Sequence, residues 1–347
     1  MKIWIDICHI PQFNFFKPII EKLIEKDHEV YVTVLERGKT PLIVHNELHG
    51  LEHVKVEVIG QHKLTKWSAI WDANILRISK LIKWGWRKKI DVAISTNIFT
   101  PLVGRLFGIK SYSFGDDPQV FDFHPKGWFS TKAHMCIYEW TFSSRKPKHT
   151  EILRCTKEWA YLAPKYFTPN PKVLEKYGVT PKEYMFLREV SVGTINYAGQ
   201  ASGAILGIQD LIPKDKKVLF SLEEKDKRHL YPNDWILLQE PIEDIHSLIY
   251  YSAGLVSSGD SMAREAALLG VPAYYLGIRY DMPANAAAAK VANLQNQKTA
   301  DFATWVKNLE VDAKEAEKKQ LELRQHINET FIDINEYMMN LVEKHNN

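Results

Sequence analysis

Leu255-Val-Ser-Ser-Gly-Asp-Ser-Met-Ala-Arg-Glu-Ala-Ala-Leu-Leu-Gly-Val-Pro272 decides how this sequence is read. An apolar run, a Ser-Gly turn and a helical pattern of small residues ending at Gly270 follow one another without a gap. A strand that enters a helix through small residues leaves the first-turn N–H groups without helical acceptors, and they converge on an anion. Glu265 lies about one helical turn further along, where a carboxylate can meet a neutral diol beside that anion. Phosphate held by Ser258, Gly259, Ser261 and Met262, with a ribose held by Glu265, describes a nucleotide. Strand–turn–helix units are common in α/β proteins, so the bland reading stands beside it. Asp260 or Ser261 would then be the N-cap, and Glu265 a complement to the helix dipole.

Outward from this segment, strands and helices alternate. Strands are expected at Lys2–Ile7, His28–Val34, Val54–Ile59, Asp91–Ser95 and Lys110–Phe114, with helices at Phe15–Glu25, Ser68–Lys88 and Pro101–Phe107. Such alternation predicts a parallel sheet covered on both faces, with ligands beyond the carboxyl ends of its strands. The loops 6–14, 35–40, 96–100 and 115–119 are therefore the ones to inspect. The pattern breaks down between Asp122 and Thr180 and then restarts with Tyr184–Arg188, Lys217–Ser221, Trp235–Gln239, Gly254–Ser257 and Ala273–Leu276. A charged helical pattern covers Asp312–Glu343. The expected domains are 1–165, 166–325 and a C-terminal helix, 326–347, returning to the first.

Ser258-Gly259, five residues, Glu265 and then Gly270-Val-Pro272 resemble the donor-site motif of GT-B glycosyltransferases. The resemblance extends to the glucosaminyltransferase that completes the peptidoglycan lipid precursor and to UDP-N-acetylglucosamine 2-epimerases. Met1-Lys-Ile-Trp-Ile-Asp-Ile-Cys-His9, Phe15-Phe-Lys-Pro-Ile-Ile20, His28-Glu-Val30 and Lys157-Glu-Trp-Ala-Tyr-Leu162 are similar to an uncharacterised prokaryotic family of glycosyltransferase-like proteins. The resemblance implies an α/β fold of GT-B type, with two doubly wound Rossmann-type domains facing a central cleft. It implies a UDP-sugar as donor substrate, no tightly bound cofactor and no metal.

In that architecture Arg188, at the end of the first strand of the second half, is placed to neutralise a diphosphate. The alternative is an ordinary salt bridge to Glu189 or a neighbour. Asp281 and Asn285, in Tyr280-Asp-Met-Pro-Ala-Asn-Ala286, are placed to touch the donor sugar. His9, in the first strand–helix loop, is the candidate base, because an imidazole titrates near neutrality. The glycosyltransferases that the chain resembles carry several glycines in this loop, which has none here, and the uncharacterised family that it resembles carries a second histidine where this chain has Gln12. Asp116 and Asp117 are further candidate bases, although Asp-Asp-Pro is also a good turn. Asn97 and Thr100 are candidates for acceptor contact.

The segments 62–89 and 124–149 combine many cations with Trp67, Trp71, Trp84 and Trp86. This pattern fits an anionic membrane surface and a lipid-linked acceptor, or equally a core helix with a solvated basic side. The 45 Lys and Arg against 42 Asp and Glu give no blanket argument for nucleic-acid binding, and no RNA-binding motif is present. The three cysteines, Cys8, Cys136 and Cys155, match no zinc or disulfide framework and are expected reduced. Lys2–Asp6 is expected to be a strand and not a signal peptide, and no apolar run reaches the ~20 residues of a spanning helix. The expected location is cytoplasmic, including peripheral association with the inner face of the membrane.

The function expected is sugar transfer from a nucleotide donor to a saccharide or lipid-linked acceptor in surface polysaccharide synthesis. The alternatives are a non-hydrolysing UDP-N-acetylhexosamine 2-epimerase and a non-catalytic nucleotide-sugar-binding protein.

Overall fold

Two sheets, each parallel throughout its paired strands, organise the chain. The computed structural model describes residues 1–61, 76–97, 99–116, 132–139, 150–192, 199–239, 242–309 and 312–345. They form two compact units, Met1–Tyr161 with Phe331–Asn347, and Leu162–Thr330.

The first unit contains β1 (Lys2–Ile7), α1 (Ile10–Glu25), β2 (Glu29–Glu36), α2 (Thr40–Leu48), β3 (Val54–Gln61) and α3 (Arg77–Lys88). It continues with β4 (Val92–Ser95), α4 (Phe99–Phe107), β5 (Lys110–Gly115), β6 (Lys132–Cys136), β7 (Thr150–Leu153) and the short α5 (Trp159–Leu162). The strand order is β3-β2-β1-β4-β5-β6-β7. The central strands are short apolar runs buried on both faces, as a sheet covered by helices requires.

The second unit contains β8 (Tyr184–Glu189), β9 (Lys217–Leu222), β10 (Ile236–Leu237), α6 (Ile245–Tyr250), β11 (Gly254–Ser257) and α7 (Asp260–Leu268). After these come β12 (Ala273–Tyr275), α8 (Pro283–Val291), β13 (Gln295–Asn296), α9 (Phe302–Lys307) and α10 (Ala313–Thr330). Its order is β10-β9-β8-β11-β12-β13. An aromatic core of Phe220, Tyr231, Trp235, Tyr274, Phe302 and Trp305 packs this sheet.

Several elements differ from expectation. Helix α1 begins at Ile10, five residues early, because Pro11 at its first turn needs no N–H partner; the first loop shrinks to Cys8 and His9. Two parallel strands, β6 and β7, lie where the pattern broke down. In β6 the fully buried His134 stacks on Phe114, so a polar residue occupies a core position. The C-terminal helix is two helices, α10 and α11 (Ile334–Glu343), separated at Phe331–Asp333. Asp333 caps α11 by accepting the N–H groups of Asn335 and Glu336 at 3.0 and 3.1 Å. Helix α11 belongs to the first unit, where the Asn335 amide donates to the carbonyl of Ala160 at 2.7 Å.

Trp84 is core and not part of an aromatic face: its ring lies 5.0 Å from Trp4 and 6.2 Å from Tyr31. Trp86, two residues on, is 71% exposed. Trp67 and Trp71, with most of the other residues of the two basic segments, lie outside the described residues.

Helix α7 stops at Gly270, where φ is +75° and an added Cβ would stand 2.6 Å from the main-chain oxygen of Gln320. Both backbone strain and a clash with α10 oppose substitution there. Gly270→Ala is expected to cost about 2 kcal/mol or more of stability, read from the denaturant midpoint.

Candidate functional site

Where strand order reverses in a parallel sheet, neighbouring connections leave in opposite directions and open a crevice at the carboxyl ends. The reversal falls between β1 and β4 in the first unit and between β8 and β11 in the second. Cys8, His9 and Asn97 stand at one; Arg188, Glu189, Ser258 and Gly259 stand at the other.

In the second unit the chain leaves β11 at Ser258 and enters α7 with Gly259 as N-cap, extended at φ −100° and ψ 139°. Neither Asp260 nor Ser261 is the cap; Asp260 already lies in the helix. Ser257 Oγ accepts the Gly259 N–H at 3.0 Å and donates to the Gly259 carbonyl at 2.7 Å, tying the turn to itself. The fully buried Ser258 donates its N–H to the Arg188 carbonyl at 3.0 Å and accepts the Val190 N–H on Oγ at 2.9 Å. Its groups therefore serve the scaffold, unlike the phosphate contact expected of them. Among the described residues no side chain caps α7, and the N–H groups of Asp260, Ser261 and Met262 lie in its first turn at the positive end of the helix dipole.

Two arginines surround this helix start. Arg264 and Arg279 both reach Asp260 Oδ2, at 3.4 and 3.2 Å, and Asp260 is only 4% exposed. Arg264 also donates to Asn285 Oδ1 at 2.7 Å, and the Asn285 amide donates to the Arg279 carbonyl at 2.5 Å. Asn285 is thus a brace for the 276–282 loop, with both polar atoms engaged. Asp281 is exposed and pairs with Lys298 at 3.1 Å. Glu265 is buried, with His246 Nε2 3.4 Å from its carboxylate. Arg188 donates to Ser221 Oγ at 2.6 Å and pairs with Glu223, a partner from beyond the neighbouring strand and not Glu189.

In the first unit a buried ion pair fills the reversal. Arg77 Nη1 and Nη2 meet Asp6 at 3.0 and 2.6 Å, both side chains fully buried, while Arg77 Nε donates to the Ile59 carbonyl at 2.9 Å. Thr33 Oγ and the Asn97 amide also donate to Asp6, the latter at 2.7 Å. Asn97 Oδ1 accepts the N–H groups of Phe99 and Thr100 at 2.9 and 3.2 Å, capping α4. Asn97 and Thr100, the expected acceptor contacts, are therefore engaged with one another, and Asn97 also with Asp6. Burial, reinforced by Asp6, pushes the Cys8 thiol up to about 12, so it is no thiolate nucleophile. The Gln12 side chain, 8% exposed, accepts the Cys8 N–H at 2.7 Å.

His9 is the N-cap residue of α1, and its Nδ1 is buried without a hydrogen-bond partner among the described residues. Burial, with Lys157 and Arg37, lowers the imidazole to about 4 against the pull of Asp116. The near-neutral titration expected of this residue is corrected accordingly. Asp116 pairs with Lys157 at 2.9 Å. Asp117 lies outside the described residues.

Sequence reasoning passed over Arg264, Arg279, His246, Glu223 and the Asp6–Arg77 pair. Only Asp260 and Arg264 carry a local signal, a spacing of four on one helix face. Among the described residues no group of three or more His, Cys, Asp or Glu side chains gathers as metal ligands, and no helix is long and apolar enough to cross a membrane.

Arg77→Met leaves the Asp6 carboxylate buried and unpaired and is expected to cost about 3–5 kcal/mol in chemical denaturation. His9 binds its proton near pH 4 when folded and near 6.5 when unfolded, so between those values the unfolded chain holds more protons. Its contribution to stability is complete above pH 6.5 and disappears as pH falls toward 4. His9→Gln is expected to flatten that part of the stability–pH curve.

No family model and no curated protein sequence matches the chain. Solved structures match along its length. UDP-GlcNAc 2-epimerase from Neisseria meningitidis, bound to UDP-GlcNAc, is 14% identical with a TM-score of 0.65, covering 99% of this chain and 100% of that one. The glycosyltransferase VinC in complex with dTDP is 11% identical at 0.64, covering 100% of each. MurG of Acinetobacter baumannii is 12% identical at 0.57, covering 99% and 100%. The two units, each a parallel sheet with helices, give the chain the two-domain Rossmann-like GT-B fold shared by these glycosyltransferases, 2-epimerases and MurG.

Proposed function

We propose that this chain is a nucleotide-sugar-dependent glycosyltransferase, with a UDP-sugar as donor and a saccharide or lipid-linked saccharide of surface polysaccharide synthesis as acceptor. The observation that carries this reading is the start of α7 at the second unit's strand reversal, which no side chain among the described residues caps, with buried Glu265 further along the same helix. The N–H groups of Asp260, Ser261 and Met262 would meet the diphosphate, and Glu265, oriented by His246, would take the ribose diol. Arg188 reaches phosphate by exchanging Glu223 for it. Asp281 is the polar group left to meet the donor sugar.

Transfer then proceeds by direct displacement. The acceptor oxygen bonds to the anomeric carbon as the bond from that carbon to the diphosphate breaks, and the diphosphate leaves with the electron pair. The acceptor proton passes to His9, which is neutral at pH 7, or to Asp116 or Asp117. An imidazole held near 4 is a weak base; an anionic acceptor beside Lys157 and Arg37 would offset their charge and strengthen it. The exposed row Lys80, Lys83, Trp86 and Arg87 on α3 is the surface this reading gives to an anionic membrane.

Likeness to a UDP-GlcNAc 2-epimerase over the whole chain favours epimerisation as the second reading. Calorimetry with UDP and a panel of UDP-sugars, on wild type and Glu265→Ala, tests the donor site. UDP affinity is expected to fall about 10- to 100-fold in the variant. Failure of wild type to bind any uridine nucleotide would reject a UDP donor. Turnover of donor alone to its 2-epimer would assign the epimerase instead. Binding with no turnover under either assay would leave a sugar-nucleotide sensor.

A further inference from the structure

Ser258 ends the ladder between β8 and β11 in an unusual way. Val190 N–H, which a regular parallel ladder would direct to a main-chain carbonyl, goes instead to the Ser258 hydroxyl oxygen at 2.9 Å. The Ser258 carbonyl is thereby turned out of the ladder, and the Gln200 amide donates to it at 2.8 Å. Gln200 is 8% exposed and Ser258 fully buried. Glu189, 3% exposed, completes the cluster. Its Oε2 accepts the Ile205 N–H at 2.7 Å and the Tyr231 hydroxyl at 3.5 Å. Burial raises its pKa, against hydrogen bonds from Ile205, Ser258, Ala204 and Tyr231 that favour the carboxylate. The turn that launches α7 is thus held by the buried Gln200 amide, and the 199–205 segment that carries Gln200 is fastened to β8 where Glu189 accepts the Ile205 N–H.

We propose that Gln200 and Glu189 are positioning residues for the nucleotide's diphosphate: Gln200 holds Ser258 where the first turn of α7 presents its N–H groups to the phosphates, and Glu189 fastens the 199–205 segment that carries Gln200. This inference rests on the nucleotide reading of the second unit. Ser258 immediately precedes the N-cap, so a displacement of its peptide reorients the whole first turn. Hydrogen bonds to phosphate tolerate misplacement of only about 0.5 Å, and a buried hydrogen-bonded brace is the means of staying within it. The ribose contact belongs to Glu265, further along α7, and is governed by the helix body.

The test separates phosphate from nucleoside. UDP affinity is measured by calorimetry and uridine affinity by ligand-observed NMR, for wild type, Gln200→Leu, Glu189→Leu and Glu189→Gln. Gln200→Leu and Glu189→Leu are expected to weaken UDP about tenfold or more while uridine stays within about twofold. Glu189→Gln keeps a hydrogen-bonding side chain at the hub and is expected to stay within about threefold of wild type for UDP. If Glu189→Leu does not fold, Gln200→Leu carries the test alone. Equal loss of UDP and uridine, or no loss of UDP, would overturn the positioning role while leaving the donor site intact. A wild-type chain that binds no UDP would overturn both.

Discussion

Every paired strand in both sheets runs parallel to its neighbours, and this constraint governs the rest of the molecule. A parallel pair cannot be closed by a hairpin, so the chain must cross over the sheet, and each sheet is covered by the helices that carry it across. Both strand orders also reverse once, between β1 and β4 and between β8 and β11. At a reversal the connections diverge and neither covers the crevice. The residues with the richest polar chemistry in each unit stand there because those are the places the crossovers leave open.

The two reversals are used differently. In the first unit the crevice is filled from within: Arg77, Asp6 and Asn97 satisfy one another, and Asn97 spends its carbonyl oxygen capping α4. What remains at the rim is side-chain chemistry, the His9 imidazole among Lys157, Arg37 and Asp116. In the second unit the side chains fold back on the turn, and among the described residues none caps α7, so its first-turn N–H groups stand there beside the side chains of Arg188 and Arg279. Main-chain donors suit an anion with many oxygens, whereas an imidazole suits a single proton.

The segment from Leu255 to Pro272 was legible because its strand, turn and helix are each specified locally, by apolar residues, by Ser-Gly and by Gly270. Parallel topology was legible from alternation. What was not legible lay in pairs distant in sequence. Nothing near Asp6 announces Arg77, and nothing near Arg188 announces Glu223, since both depend on which strands become neighbours. Strand β6 was lost because His134 breaks its apolar pattern while stacking on Phe114 in the core. Trp84 and Trp86 are two positions apart on one helix, so composition treats them alike and the fold buries one and exposes the other.

Helix α11 completes the first unit, although the whole second unit separates it in sequence from the strands it joins. Met338 and Val342 are fully buried, and Lys22 of α1 meets Glu336 of α11 at 2.5 Å. During synthesis the first unit therefore emerges with its sheet made and one helical face uncovered. It stays so until the second unit has been translated, an interval on the order of ten seconds. The second unit, continuous in sequence, can close first. The order of assembly thus runs against the order of synthesis, and shielding of that apolar face in the nascent chain falls to the ribosome's surroundings.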